Sequence, residues 1–325
     1  MGETPRIGLL GCGGIGKVHA DSLAALGQPL AAAADADPTR AGELAGKYGC
    51  RPLPDLAALL NETDAVIIAT PPYLHAEQVI AAAHSGKHVF AEKPLCLTLA
   101  DAARIGKALA SSRGKFMIGY VLRFFPLFRT VREKLASGAL GKLVACWDRR
   151  FSEWPFHENR WLRDPAKSGG MTVEFFTHDL DWLRWVGGFP VGVSGWTYKA
   201  YQGTESAIED NVWATLKFAR GLGTGAASWT SPLTSSALGI LGEEGSISSV
   251  DGRPPVMRRR GGTEEILPLD GEEPYRAQMR EFLACLAEGR DPSPGFSEAR
   301  DALAIALAVQ ESARTGAPVV PARPA

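Results

Sequence analysis

The run Ile7-Gly8-Leu9-Leu10-Gly11-Cys12-Gly13-Gly14-Ile15-Gly16 decides the fold. Ile7 to Leu10 is a short apolar segment of the kind that forms a strand buried on both faces, and it stops at Gly11. A helical pattern opens straight after it, with positions 15, 18, 22, 23 and 26 on one face and Gly27 as the stop. Between strand and helix lies G-x-G-x-x-G, made by Gly11, Gly13 and Gly16. Each glycine there has its own physical task. The first permits the tight turn, the second lets a pyrophosphate come against bare backbone, and the third lets helix and strand pack closely. The N–H groups at the helix start, around Gly14 and Ile15, would then face the phosphate charge. A dinucleotide site is expected. The plainer alternative is a glycine-rich turn with no ligand, and the flanking strand and helix weigh against it.

Outward from this turn the first 120 residues keep alternating. Leu30–Ala34, Ala65–Ala69, His88–Ala91 and Phe116–Tyr120 read as strands. Helices fit from Pro38 to Gly49, from Leu74 to Ser85 and from the cap Thr98 to Ser111. Such alternation predicts a doubly wound parallel sheet, a Rossmann domain over residues 1–121. After Tyr120 the rhythm changes. A helix over Leu127–Ser137 leads to a strand over Leu143–Phe151, an irregular stretch to Gly170 and a single helix over Met171–Val186. Several strands with glycine turns follow between Val191 and Leu269, and helices over Tyr275–Glu288 and Ser297–Thr315 end the chain. The expected class is α/β, with a second α/β domain over 122–325 whose sheet is open and mostly antiparallel or mixed.

Composition narrows the function. The chain is 45% hydrophobic, enough apolar material to offset chain entropy. Lys plus Arg (35) balances Asp plus Glu (36), so no general attraction to nucleic acid or anionic membrane is expected. The one basic run, Arg258-Arg259-Arg260, reads as an ordinary solvated loop or strand end, not a binding patch. Five scattered cysteines, none spaced C-x-x-C, argue against a disulfide framework or structural zinc. With no secretory signal pattern and no run of 18 apolar residues, a cytoplasmic protein is expected.

Three further places carry chemistry. Asp35 closes the second strand, where a carboxylate would accept hydrogen bonds from the adenosine ribose. It would repel a 2′-phosphate, and the next basic residue is Arg40, so NAD is expected, with NADP still open. The competing assignment makes Asp35 a cap for the helix opening at Pro38. Glu92-Lys93-Pro94 follows the strand His88–Ala91, and ligands bind beyond the carboxyl ends of such strands. Lys93 would stabilise negative charge on a substrate oxygen, and Glu92 would hold it or touch the nicotinamide ribose. Finally, Glu174, His178 and Asp181 fall at i, i+4 and i+7 on the helix expected over 171–186, one polar stripe among bulky apolar residues. His178 fits a general base oriented by Glu174; a metal site and a satisfied structural histidine are the alternatives.

These segments together resemble the Gfo/Idh/MocA oxidoreductase family. Ile7 to His19 resembles the family's opening, and Ala69-Thr70-Pro71-Pro72-Tyr73-Leu74-His75 its strand-end turn beside the nicotinamide. Gly86 to Leu95, with Glu92-Lys93-Pro94, is similar to its signature. Gly119 to Phe124 resembles the entry into its second domain, and Ser168-Gly169-Gly170 with His178 and Asp181 its catalytic loop and helix. The resemblance implies Lys93 and His178 as the catalytic pair with Glu174 beside them, and Thr70, Pro71 and His75 at the cofactor. It also implies an open sheet used for homo-oligomerisation, to a dimer or tetramer, and a helix over about 297–315 packing back on the first domain. Where many members have Asp four residues before the histidine, this chain has Glu174. The implied activity is hydride transfer between NAD(P) and a carbinol carbon of a sugar, inositol or sugar derivative. Tyr120, Arg123, Trp161 and Asp181 are the substrate-facing candidates, and the tryptophans from Trp147 through Trp154 to Trp161 fit either stacking on a sugar or packing in a core or interface. Rival readings are an NAD-dependent glycosidase using transient oxidation and a non-enzymatic cofactor-binding sensor.

Overall fold

The computed structural model describes residues 4–153, 160–200, 207–262 and 264–323; Trp154 lies outside them. By its contacts the chain forms two compact units, Met1–Val121 with Glu272–Arg300, and Leu122–Gly271 with Asp301–Ala325.

In the first unit β1 (Ile7–Leu10), β2 (Leu30–Ala34), β3 (Arg51–Leu53), β4 (Ala65–Ile68), β5 (His88–Ala91) and β6 (Phe116–Ile118) pair in the order 3-2-1-4-5-6, every pair parallel. Helices α1 (Gly14–Ala25), α2 (Pro38–Tyr48), α3 (Leu56–Glu62), α4 (His75–His84) and α5 (Leu99–Ala110) make the crossovers. Strands β1, β4 and β5 are buried almost throughout, as strands covered on both faces must be. The order reverses between β1 and β4, the switch point at which such sheets take ligands. Sequence patterning misses β3 and α3. The strand is three residues long with Pro52 inside it, which a sheet edge tolerates, and Asp55 caps the short helix through the Ala58 N–H.

The second unit starts with α6 (Pro126–Ala136) and β7 (Leu143–Glu153), then α7 (Pro165–Ser168), α8 (Gly170–Glu174) and α9 (Thr177–Gly187). Strands β8 (Gly192–Tyr198), β9 (Asn211–Lys217), β10 (Leu222–Ser228), β11 (Thr230–Gly242), β12 (Gly245–Val250), β13 (Val256–Arg259) and β14 (Glu264–Ile266) complete an eight-stranded sheet with β7. Its order is 14-13-12-11-7-10-9-8, and only β7–β10 is parallel, so the sheet is mixed and mostly antiparallel. Along β9, Val212, Ala214 and Leu216 are buried while Trp213 is 44% exposed, next to its cross-strand partner Trp196. The basic run is engaged: Arg258 pairs with Glu264 and Arg260 donates to the Glu243 carbonyl.

The chain rejoins the first unit at Glu272, earlier than the helix over 297–315 to which the family resemblance assigns that contact. Helix α10 (Pro274–Glu288) lies on α1, with Phe282 edge-on to Phe90 at 5.7 Å and Tyr275 edge-on to His19 at 6.1 Å. Each such ring pair adds about 0.5–1.5 kcal/mol beyond the area it buries. Helix α11 (Phe296–Thr315) begins in this unit, where Phe296 fills the space a side chain on Gly106 would need. From Asp301 it belongs to the second unit: Asp301 takes two bonds from Arg184, and Ser312 accepts the Gly195 N–H. Among the described residues no helix is long and apolar enough to cross a membrane.

Candidate active site

The glycine turn separates two physical demands. Gly11 has φ +96°, and a Cβ there would lie 2.6 Å from the Ala69 carbonyl oxygen. A Cβ on Gly16 would lie 2.0 Å from the Gly11 oxygen. Both glycines are required by the fold itself. Around Gly13 and Gly14 a Cβ would meet nothing within 4 Å, so the protein leaves that floor open. Helix α1 starts there with no side-chain cap and no acidic residue in its first turn, leaving room for an anion at its positive end. The turn therefore fits a dinucleotide pyrophosphate.

Asp35 is not the cap of α2; Asp37 is, through the Thr39 N–H. One Asp35 oxygen accepts the Cys12 N–H at 2.7 Å and the other the Asp37 N–H at 2.8 Å, which fixes a half-buried carboxylate at the edge of the turn. Each oxygen keeps a second lone pair for a ribose hydroxyl. Arg40 is held by Asp37. Burial, then the Asp35 charge, push the Cys12 thiol up to about 12, so this cysteine is a filler beneath the turn and not a nucleophile.

The loops after β4 and β5 lie beside this turn on the same sheet edge. Thr70 and Pro71 are half-buried, and the Thr70 hydroxyl donates to Gln78. The His75 side chain is wholly buried, with Nδ1 2.8 Å from the Pro94 carbonyl oxygen and Nε2 2.8 Å from that of Thr70. Burial holds its pKa below the ordinary imidazole value, against the pull of both carbonyls. Glu92 is likewise turned inward. Its carboxylate takes a 2.7 Å bond from His19 and a 3.1 Å bond from the Lys93 N–H, packed where Gly119 has no side chain. In the run Ala91–Cys96 all residues are buried except Lys93.

In the second unit the expected single helix is two. It breaks at Phe175–Phe176, between α8 and α9, and the i, i+4, i+7 register is lost. Glu174 and His178 remain half-exposed on either side of the break. Asp181 leaves their stripe and turns inward to a bidentate pair with buried Arg123, at 2.6 and 2.7 Å. These two substrate candidates hold each other; breaking such a buried pair costs about 3–5 kcal/mol. Tyr120 is only 1% exposed, and Trp161 is half-buried. The start of α8 is tied by Glu209, which accepts from the Thr172 N–H and hydroxyl, and by Gln310, which donates to the Gly169 carbonyl.

Beneath the break lies a charge cluster that sequence patterning misses. Arg150 donates to both oxygens of Asp179 and to the Phe175 carbonyl, with its guanidinium 4.2 Å from the Phe175 ring centroid. Asp148 is buried beside Asp179; burial, then the Asp179 charge, raise its carboxyl well above the usual range. One local signal exists. Asp148 shares with Cys146 the inward face of β7, where an apolar residue is expected. Among the described residues no three His, Cys, Asp or Glu side chains converge to hold a metal.

Comparison with known proteins agrees with the fold. Residues 5–120 match the model of an oxidoreductase family with an NAD-binding Rossmann fold, and residues 128–248 match the GFO/IDH/MocA C-terminal domain. Inositol 2-dehydrogenase of Rhizobium meliloti is 30% identical over 95% of this chain and 97% of its own. The scyllo-inositol 2-dehydrogenase (NAD(+)) of Bacillus subtilis is 27% identical over 98% and 97%. A levoglucosan dehydrogenase solved with NADH and levoglucosan superposes with a TM-score of 0.90 over 98% of this chain and 99% of its own; at 23% identity it speaks for the fold.

Proposed function

Because the chain belongs to the Gfo/Idh/MocA oxidoreductase family, we propose that it transfers hydride between NAD and a carbinol carbon of an inositol, sugar or sugar derivative. NAD, when bound, supplies the hydride acceptor or donor. Gly13 and Gly14 with the first turn of α1 hold its pyrophosphate, and Asp35 holds its adenosine ribose. Lys93 stabilises the alkoxide that develops as the substrate hydroxyl loses its proton, and His178 takes that proton. Glu174 orients the imidazole. What supports this reading most is the run Ala91–Cys96: beside the open glycine floor, its one accessible residue is a lysine. The two relatives named above carry dehydrogenase names, which favours net hydride transfer over transient oxidation. The exposed sheet face around Trp196 and Trp213 is the surface we assign to subunit pairing.

The test is a screen of purified protein with NAD or NADP against inositols, sugars and sugar acids, reading reduced nicotinamide. Reduction with a member of this class is expected. Release of a sugar from a glycoside without net reduction would replace the proposal by the glycosidase reading. Cofactor binding without turnover on any of them would leave a sensor. Asp35→Ala should weaken NAD more than NADP; equal losses would mean that Asp35 acts only by holding the Cys12 turn.

A further inference from the structure

Lys93 sits between two residues that are each gripped by a different buried histidine. On its N-terminal side, Glu92 receives the His19 Nε2 bond on one oxygen and the Lys93 N–H on the other. His19 is 0% exposed, and its Nδ1 has no hydrogen-bond partner among the described residues. On the C-terminal side, Pro94 presents its carbonyl to His75, whose other nitrogen meets the Thr70 carbonyl. His19 comes from α1, directly behind the glycine turn, and His75 opens α4 behind the Thr70–Pro71 loop. The two imidazoles thus tie the loop after β5 to the loops after β1 and β4.

We propose that His19 and His75 are positioning residues for Lys93: they clamp Glu92 and Pro94 on either side of it and fix the direction in which its ammonium leaves the backbone. This rests on the role given to Lys93 above. Neither histidine touches substrate. Their removal acts through misplacement, where an error of 1 Å costs about 10²-fold in rate. A neutral His75 has a single N–H for two carbonyls, so one of its two contacts is the stronger clamp.

The first arm needs no activity. Hydrogen exchange is followed in the peptide spanning Ala91–Cys96 of the ligand-free protein. His19→Phe should speed exchange of the Lys93 amide about tenfold or more while the sheet strands keep their protection. His19→Gln, which keeps a donor near the Nε2 position, should restore it. The second arm is kcat with myo-inositol and NAD, normalised to sites that bind NADH. His19→Phe and His75→Leu should lower it about 10–100-fold with NADH affinity changed less than about threefold. Of His75→Asn and His75→Gln, which keep a donor near Nδ1 and Nε2 respectively, one should recover most of the loss. Unchanged exchange at Lys93 in His19→Phe would overturn the clamp, as would normalised turnover within twofold of the parent in both apolar variants. If Lys93→Ala itself turns over normally, the role of Lys93 and the clamp fall together, whereas a dead Lys93→Ala beside active histidine variants sinks the clamp alone.

Discussion

The strand-end loops of the first unit and the α8–α9 break of the second are held by different forces. In the first, steric limits on the backbone do much of the holding: Gly11 and Gly16 admit no side chain, and the two histidines grip one carboxylate and two carbonyls. In the second, buried charge does it: Arg150 with Asp179 and Asp148, and Arg123 with Asp181. Contacts of backbone shape respond to sterics and little to pH, whereas buried charges respond to protons. In the second unit, then, part of that support is a carboxyl that titrates.

The largest effect should come from the two groups themselves. Lys93→Ala and His178→Ala should each lower kcat by roughly 10²–10⁴ with NADH affinity nearly unchanged, as measured by steady-state turnover and cofactor titration. Normal turnover in both variants would remove any reason to treat the two regions as serving one reaction. The next contrast lies within the glycine turn. Gly16→Ala should destabilise by on the order of 3 kcal/mol, because its Cβ would collide with the Gly11 carbonyl 2.0 Å away. Gly13→Ala should leave stability within about 0.5 kcal/mol, since nothing lies near, yet weaken NAD about tenfold. Equal Tm losses in the two variants would erase the distinction between a glycine needed for folding and one needed for ligand.

The smallest effect concerns protons. In the unfolded chain Asp148 ionises near pH 4, whereas the native carboxyl is held protonated to higher pH. Its contribution to stability is then full below about pH 4 and declines, by at most about 1.4 kcal/mol per pH unit, as pH rises toward the raised native value. Asp148→Asn keeps the side chain's size and removes the titration. Urea unfolding at pH 5 and pH 8 should show a smaller difference in the variant than in the parent. An identical difference would mean that the second unit's support does not titrate at Asp148.

What was legible in the sequence follows the same division. Gly11, Gly13 and Gly16 could be read because steric demands on the backbone leave a residue-type signature, and the alternation of strands with helices followed from local periodicity, β3 and α3 excepted. Lys93 could be placed because it follows a clean buried strand. The break at Phe175–Phe176 was hidden because apolar residues continue through it, so the pattern reads as one helix. Asp181 was read as part of a shared stripe because its partner Arg123 lies 58 positions away. His19 and Glu92 are 73 positions apart, and a pairing at that separation leaves no local trace. Residue type and position singled out Lys93 and His178 without help from the family resemblance, but nothing local pointed to His19 or Arg150.

The way the first unit is completed bears on how the protein is made. Its core closes only when α10 brings Phe282 to Phe90 and Tyr275 to His19, and Pro294 accepts the Ile118 N–H. Those residues emerge from the ribosome after the whole strand-rich middle of the chain. The nucleotide-binding sheet is thus the first structure begun and among the last finished, and during the interval its α1 flank stands uncovered, a stretch of synthesis in which a chaperone has something to hold.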